Sequence, residues 1–192
     1  LVIGTQIIAK GHHFPNLTLV GVVDADLGLS GGDLRAAERT FQLLHQVSGR
    51  AGRADLAGLV LIQTYDPSRP VMQALKAGDR DRFYALEAEE RRIAGMPPFG
   101  RLAAVIISGG DPDEVDRLGQ HLARTAPHRD GIQVLGPAPA PLALLRGRHR
   151  RRFLVKTRRD LAPQPVLREW LSGIKTRGDL ALDIDIDPYS FM

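Results

Sequence analysis

The first third of the chain alternates short apolar runs with one amphipathic stretch. The runs at 17–24 (LTLVGVVD) and 58–64 (GLVLIQT) are nearly continuous, which is typical of strands buried on both faces. Residues 1–4 form a shorter apolar run that ends in a Gly-Thr turn. Between them, 34–47 places apolar residues at helical spacing, and Asp33 stands before it as a candidate N-cap. The alternation predicts βαβ units with a mostly parallel sheet.

The middle of the chain, 67–96, has the pattern of a helical connector. Apolar spacing predicts helices over 71–77 and 81–93, and the second is crowded with charge that suits a solvated face. The Pro-Pro pair at 97–98 ends this region, because proline lacks an N–H and restricts the residue before it.

The last part of the chain has the mixed pattern of a small α+β domain. An apolar run predicts a strand, and an amphipathic helix follows it. A hairpin is expected after a Pro-rich turn (GPAPAP), with two strands on either side of a basic loop. The predicted strands are 101–108, 132–135, 142–145, 153–157 and 180–187, and the predicted helices are 113–126 and 165–174.

Composition narrows the classes of protein that fit. The 192 residues are 43% hydrophobic and 25% charged, as in ordinary globular proteins, and no apolar run is long enough to cross a bilayer. The chain has no cysteine, which excludes disulfides and thiolate zinc sites within it. Its net charge of +4 favours an anionic partner. It begins with Leu1 and shows no signal peptide, and we expect it to be a piece of a longer protein.

The segment QVSGRAGRA carries the strongest chemical signal. Gln46 precedes two Gly-Arg pairs, so that Arg50 and Arg53 lie three residues apart just after a predicted helix. A guanidinium is permanently charged and planar, which suits it to the developing charge of a phosphoryl transition state. The alternative is a helix C-terminus, with Gly49 as the terminating residue and the arginines near the negative end of the dipole.

The segment GTQIIAKGHHFP follows the first apolar run. Gly4 and Thr5 would lie at the end of a strand, where ligands bind in open α/β folds. Lys10, His12 and His13 could meet phosphates there, although a solvated loop is the alternative. No third ligand has suitable spacing, so a metal site is not predicted.

The densest positive charge lies at 146–159, RGRHRRRFLVKTRR. It contains eight lysines or arginines and no acid, a pattern that favours contact with nucleic acid phosphates. A solvated hairpin loop is the alternative interpretation. The candidate DNA-binding residues here are Arg146, Arg148, Arg150, Arg151, Arg152 and Lys156.

Together these motifs resemble those of a known family. GTQIIAKGHHFPNLTLVGVVDAD followed by AAERTFQLLHQVSGRAGR resembles motifs V and VI of superfamily 2 helicases. The GHHFP string, the PPFGR that precedes the last part, the VLGPA stretch, the basic hairpin and the DIDP ending are similar to the bacterial PriA family of replication restart helicases. The resemblance extends over essentially the whole chain.

The resemblance implies an α/β fold in three parts. Residues 1–66 would be the C-terminal part of a RecA-like helicase lobe, 67–96 a connector, and 97–192 the family's α+β C-terminal domain. The longer protein would be an ATP-dependent 3′-to-5′ DNA helicase that recognises stalled or branched forks and starts primosome assembly. The implied cofactors are ATP and Mg²⁺, with zinc bound elsewhere in the longer protein.

The resemblance also implies roles for individual residues. Arg53 would be the arginine finger, Arg50 a second γ-phosphate ligand, and Gln46 part of the same catalytic motif. Motif V would link the nucleotide site to the DNA strand through Gly4 and Thr5, with Lys10 and Gly11 beside them. The implied ATP-site residues are Gly4, Thr5, Gly49, Arg50 and Arg53, and the implied DNA contacts near motif V are Thr5, Lys10, His12 and His13.

The expected partners are forked or single-stranded DNA, a single-strand-binding protein and other primosome proteins, in the cytoplasm at the nucleoid. Arg158 and Arg159 are candidates for holding the acidic tail of the single-strand-binding protein. The sequence has neither a GxxxxGK[ST] loop nor a Walker B pair, so we expect this piece alone not to hydrolyse ATP. The alternatives are a non-enzymatic DNA-binding and primosome scaffold module, or a translocase that shares motif VI.

Overall fold

The computed structural model describes residues 2–4, 17–29, 33, 35–49 and 58–188. The chain divides into two compact units, Leu1–Glu87 and Ala88–Met192. The helix α3 begins in the first unit and ends in the second. The strands are β1 (Leu19–Val22), β2 (Leu59–Ile62), β3 (Gly100–Gly109), β4 (Ile132–Leu145), β5 (Arg148–Arg158) and β6 (Ala181–Ile186). The α-helices are α1 (Ala36–Ser48), α2 (Pro70–Ala77), α3 (Arg80–Ile93), α4 (Pro112–Arg124) and α5 (Pro163–Leu171), and a short 3-10 helix covers Ala25–Leu29.

In the first unit, β1 and β2 pair in parallel, as the alternation of strands and helices predicted. Successive strand residues face opposite sides, so Val22 and Ile62 pack on the core while Leu59 and Leu61 lie on the exposed side. The prediction that both strands are buried on both faces is therefore wrong for the described residues, because only one face of this pair is covered. The helices supply the core itself, because their apolar residues recur at helical spacing. Its buried members are Ala25, Phe41, Leu44, Val71, Met72, Ala74 and Phe83.

A stack of rings ties α1 to α3. The Phe41 and Phe83 rings are nearly parallel, with centroids 4.2 Å apart, and both side chains are buried. The exposed His45 lies one turn after Phe41 on α1, and the two rings stack with their centroids 5.6 Å apart. This stack fixes the helix that carries Gln46 against the start of the connector helix.

The second unit is a four-stranded antiparallel sheet in the order β4-β5-β3-β6. The helices α4 and α5 cover one face of it, which we call the helix face, and we call the opposite one the outer face. Phe153 on β5 meets Trp170 on α5 edge to face, with centroids 5.5 Å apart. The buried core consists of Ala103, Val105, Ile107, Val115, Leu122, Phe153, Val155, Leu167 and Trp170.

Local signals explain where the two covering helices lie. Asp111 caps α4, because its Oδ1 accepts a hydrogen bond from the Asp113 N–H at 2.8 Å, and Pro112 occupies the first turn. Val115, Gly119 and Leu122 recur at helical spacing and are buried against the sheet. Pro163 similarly begins α5.

The predicted hairpin was right in kind but wrong in its boundaries. The Pro-rich stretch 136–141 is not a turn, because it lies within the 14-residue strand β4. Proline is tolerated on an edge strand and at bulges, and β4 is an edge strand with two register shifts. The basic stretch is not a loop either, since Arg148–Arg158 is β5 itself. The turn consists only of Arg146 and Gly147, both with positive φ, as in a type I′ turn.

Two predictions in the first unit were also wrong. Residues 2–4 adopt no strand. Asp33 does not occupy the N-cap position of α1, which falls on Arg35. Instead, the Asp33 carboxylate accepts hydrogen bonds from the Arg35 N–H at 3.0 Å and from Arg39 Nη1 at 2.6 Å, so it holds the first turn from outside.

The division of the chain into 1–66, 67–96 and 97–192 stays a prediction. Among the described residues, no helix is long and apolar enough to cross a membrane.

Candidate nucleic-acid interface

The basic run is sorted by the two faces of β5. Phe153, Val155 and Thr157 are buried and belong to the helix face. Since side chains alternate along a strand, the intervening positions face the other way. Five of these six outward positions are cationic, and the sixth is leucine. The outward row is Arg148, Arg150, Arg152, Leu154, Lys156 and Arg158.

The neighbouring strands give the outer face two different sides. On β4, Gln133 lies opposite Lys156 and Leu135 lies opposite Leu154, and both β4 residues are exposed. On the far edge, β6 places Asp183 and Asp185 on the same face, beyond β3. The outer face is therefore basic along β5 and acidic along β6, so an anionic ligand is attracted to the β4–β5 side.

Three of the basic residues are held in ion pairs. Arg148 Nη2 donates to the Ser108 carbonyl at 3.1 Å, and its Nη1 lies 3.4 Å from the Asp179 carboxylate. Arg151, on the helix face, lies 2.6 Å from Asp116 of α4. These guanidiniums are already satisfied by the protein, so their positive charge is partly neutralised.

Arg158 is the third member of the ion-paired group. Its Nη1 lies 2.8 Å from the Asp130 carboxylate, and its Nε lies 3.2 Å from that of Asp160. Arg159, in contrast, is exposed, and its carbonyl accepts a hydrogen bond from Arg101 Nε at 3.1 Å. Of the two candidates for an acidic tail, Arg159 is thus the one whose guanidinium is not engaged by a described carboxylate.

Four of the other five cations of the run are available to a ligand. Within the described residues, no carboxylate forms an ion pair with Arg146, Arg150, Lys156 or Arg159. Arg150 Nη1 lies 3.4 Å from the Leu142 carbonyl, a long contact that leaves most of its donors open. A guanidinium with open donors can contact phosphate oxygens directly.

Sequence reasoning missed the leucines at the end of the hairpin. Leu142, Leu144 and Leu145 are 44%, 60% and 40% exposed, beside Arg146 and its turn. The sequence predicted a short strand over 142–145, and nothing in the apolar pattern indicated that these side chains would face solvent. That exposed leucines lie next to arginines here is recognised only when the strand pairing is known.

In the first unit, the structure describes only part of the predicted ATP and motif V residues. Gln46 is exposed near the end of α1, and Gly49 follows at the C-cap, where its N–H donates to the His45 carbonyl at 3.1 Å. Gly4 is exposed and in no regular element. The residues that lie outside the described part are Thr5, Lys10, Gly11, His12, His13, Arg50 and Arg53.

Metal binding finds no support in the part of the chain that the structure describes. In 2–4, 17–29, 33, 35–49 and 58–188, no group of three or more His, Asp or Glu side chains is placed to hold a metal ion.

Comparisons with known proteins agree with the resemblance drawn from the motifs. The family model for the primosomal protein N C-terminal domain matches residues 92–189, about half of the chain. The replication restart protein PriA of Rickettsia conorii is 50% identical over 191 residues, which cover 100% of this chain and 29% of that protein.

More distant relatives bear the same name. The replication restart protein PriA of Bacillus subtilis is 38% identical over 197 residues, covering 100% of this chain and 24% of the relative. That of Haemophilus influenzae is 37% identical over 191 residues, covering 98% of this chain and 26% of the relative. This chain thus spans between a quarter and a third of the length of most of these relatives. With a family model that covers half of its residues, the chain belongs to the PriA family.

Proposed function

We propose that this chain is the C-terminal part of an ATP-dependent 3′-to-5′ DNA helicase that acts in replication restart. Membership of the PriA family supports the assignment, as does the name replication restart protein that its relatives carry. In this proposal the longer protein recognises stalled or branched forks and starts primosome assembly.

The second unit binds the DNA backbone through Arg150 and Lys156 in the outward row of β5 and through Arg146 in the adjoining turn. The observation that carries this is the separation of cations with open donors, at Arg146, Arg150 and Lys156, from cations neutralised by the protein. Phosphate contacts of this kind supply sequence-independent affinity, which suits a protein that acts on forks of any sequence.

The first unit supplies one wall of the ATP site. It forms part of a RecA-like lobe, and α1 leads through Gln46 and Gly49 into the Gly-Arg pairs. Arg53 acts as the arginine finger and Arg50 as a second γ-phosphate ligand, with Mg²⁺ held by residues elsewhere in the longer protein. Gly4 and Thr5 connect this site to the DNA strand.

Protein partners complete the proposal. Arg159 receives the acidic tail of a single-strand-binding protein, since its side chain is exposed at the end of β5. Other primosome proteins assemble on the DNA-bound complex. Zinc belongs to another part of the longer protein, because this chain has no cysteine.

The DNA interface is tested by charge reversal. Fluorescence anisotropy on a labelled fork compares the unmodified chain with the double variant Arg150→Glu/Lys156→Glu. We expect its affinity to fall at least about tenfold, because two phosphate contacts become repulsive. The matched control, Arg168→Glu/Lys175→Glu, makes the same charge change outside the hairpin and should leave affinity within about twofold. If both variants lost the same amount of affinity, the effect would come from net charge alone, and the proposal would be contradicted.

The helicase assignment is tested separately, in the complete gene product. Arg53→Ala should lower DNA-stimulated ATP hydrolysis by a factor of about 10³, the usual effect of losing an arginine finger. Unchanged turnover would remove Arg53 from catalysis. A complete protein that binds forks but hydrolyses no ATP would favour the alternative, a non-enzymatic scaffold module.

A further inference from the structure

The two edges of the four-stranded sheet differ in their capacity to accept a further strand. The edge strand β4 contains Pro137, Pro139 and Pro141, which supply no N–H, and two register shifts interrupt it. The opposite edge strand, β6, pairs with β3 in unbroken register and contains no proline. Within the described residues, no strand pairs with the other side of β6, which we call the open edge.

The register determines which backbone groups of β6 lie at the open edge. The Asp187 N–H donates to the Leu102 carbonyl at 2.8 Å, which continues the β3–β6 ladder by one pair. In an antiparallel ladder, hydrogen-bonded pairs alternate with pairs whose N–H and C=O groups point away from the partner. Counting back from Asp187, Asp185 and Asp183 are also bonded to β3. The residues whose N–H and C=O groups point to the open edge are Leu182, Ile184 and Ile186.

The side chains of β6 differ between the two faces of the sheet. Asp183 and Asp185 are exposed on the outer face, and neither carboxylate has an ion-pair partner in the part of the chain that the structure describes. Ile184, between them, pairs with the core residue Val105 and so belongs to the helix face, yet it is 48% exposed. The open edge therefore combines two carboxylates on one face with an accessible apolar side chain on the other.

The carboxylates restrict which strands can pair with the open edge. Antiparallel pairing of two β6 strands centred on Ile184 would place Asp183 opposite Asp185 of the second copy, which is unfavourable. DNA phosphates are repelled for the same reason. The described strand that carries a row of cations on one face is β5, and both of its edges are already paired, with β3 and β4. These observations favour an extended segment of another protein, with cations that match the aspartates.

We propose that the open edge of β6 binds an extended, basic segment of a partner protein as an additional antiparallel strand. The main chain of the segment bonds to the outward N–H and C=O groups of β6. Its apolar residues lie opposite Ile184 and its neighbours, and its lysines or arginines lie opposite Asp183 and Asp185. The latter are the non-hydrogen-bonded pairs of the new ladder, in which cross-strand side chains come closest. This inference goes beyond the proposed DNA contact, since it concerns the opposite edge of the sheet and a protein ligand.

A synthetic peptide tests the main-chain pairing. The probe is fluorescein-labelled Ser-Val-Lys-Val-Lys-Val-Ser with blocked ends, titrated into the full 192-residue chain and followed by anisotropy. N-methylation of its valines removes the N–H donors that face β6, so this form should bind at least about tenfold more weakly. N-methylation of its lysines alters only N–H groups that face away from β6, so binding should stay within about twofold. Equal affinities of the two methylated forms would overturn the proposal.

Neutralisation of the two aspartates tests the charge pairing. Asp183→Asn/Asp185→Asn should weaken binding of the unmethylated peptide about threefold to tenfold, because two cross-strand ion pairs are lost. The matched control is Glu90→Gln/Asp113→Asn, which removes the same charge at exposed positions on α3 and α4. It should change the affinity by less than about twofold. If the control lost as much affinity as the β6 variant, a general charge effect would replace the proposed site.

Amide hydrogen exchange shows where the peptide binds. The Ile184 amide should exchange more slowly when the peptide is bound, because its N–H becomes hydrogen-bonded, and the amides of β4 should not respond. A peptide that does not bind, an Ile184 amide that gains no protection, or protection along β4 would each contradict the proposal. A complete gene product that fails to bind the peptide would also contradict it, since another part of the longer protein would then occupy the edge. These measurements contain no DNA, so their outcome is independent of the DNA-binding proposal.

Discussion

Arg151 Nε lies 2.6 Å from Asp116 Oδ1, across the helix face of the four-stranded sheet. Its neighbour Arg150 faces the other way and makes only a long contact to the Leu142 carbonyl. Two adjacent arginines of one basic run therefore differ in what they do. One joins β5 to α4, and the other remains available to a ligand.

This difference predicts opposite effects for two single substitutions. Arg151→Ala should lower the free energy of unfolding by about 1 kcal/mol, because it removes a partly exposed ion pair. Its affinity for forked DNA should change less than about twofold. Arg150→Ala should weaken that affinity by roughly threefold to tenfold, because a phosphate contact is lost, with unfolding unchanged. Urea denaturation measures the stability of both variants, and anisotropy measures their DNA affinity. If Arg151→Ala weakened DNA binding and Arg150→Ala lowered stability, the assignment of different roles to the two arginines would be contradicted.

Gly136 is required by the geometry of β4. Its φ is +127°, and an added Cβ would lie 2.7 Å from the Arg152 carbonyl oxygen and 2.9 Å from Phe153 Cδ1. Gly136→Ala should therefore destabilise the fold by about 2–3 kcal/mol. Gly173→Ala is the control, because nothing lies within 4 Å of its added Cβ. Thermal unfolding of both variants measures the difference, and equal midpoints would show that Gly136 is not constrained.

The aromatic stack between α1 and α3 should dominate the stability of the first unit. Phe83 is 2% exposed and stacks on Phe41, so Phe83→Ala should cost about 3–5 kcal/mol through lost burial and a cavity. Tyr65 is 88% exposed, so Tyr65→Ala serves as the control and should have little effect. Hydrogen exchange of the α1 amides is a suitable measurement, since protection should fall only in the Phe83 variant.

The Arg129–Glu169 pair predicts a small dependence of stability on pH. Hydrogen bonds from Arg129, one of them 3.0 Å long, hold the pKa of Glu169 below its ordinary value. A carboxylate with a lowered pKa in the folded state stabilises that state above its unfolded pKa. The contribution is lost as pH falls through the folded pKa.

Glu169→Gln should consequently lower the melting temperature slightly at neutral pH. This gap in melting temperature between the variant and the unmodified chain should disappear at acidic pH. Both side chains are well exposed, so the gap should be small and should shrink in high salt. A gap that widened as pH fell would contradict the assignment. Melting curves between neutral and acidic pH give the comparison.

Much of the fold could be predicted from the sequence because its patterns are strong. The continuous apolar runs at 17–24 and 58–64 predicted parallel strands, and β1 and β2 pair in this way. The amphipathic pattern over 113–126 predicted a helix, and the structure has α4 at Pro112–Arg124. These signals are local, so a single sequence is enough to interpret them.

The hairpin could not be predicted correctly for a physical reason. Proline and arginine usually mark turns and solvated loops, yet here they lie on an edge strand and its neighbour. The strand β5 is fixed by its partner β3, whose apolar residues pair along its whole length. Which arginines are satisfied depends on acids far away in the sequence, such as Asp116 and Asp179, which no local pattern reveals.

The salt dependence of fork binding tests the central claim most directly. The slope of log K against log [salt] should be shallower for Arg146→Ala/Arg150→Ala/Lys156→Ala than for the unmodified chain. Each lost phosphate contact removes about 0.7 to 0.9 from its magnitude, so three should remove roughly 2 to 3. A control triple, Arg168→Ala/Lys175→Ala/Arg177→Ala, removes the same charge outside the hairpin and should keep the original slope. Parallel slopes for the unmodified chain and the hairpin variant would contradict the assignment of these cations to DNA.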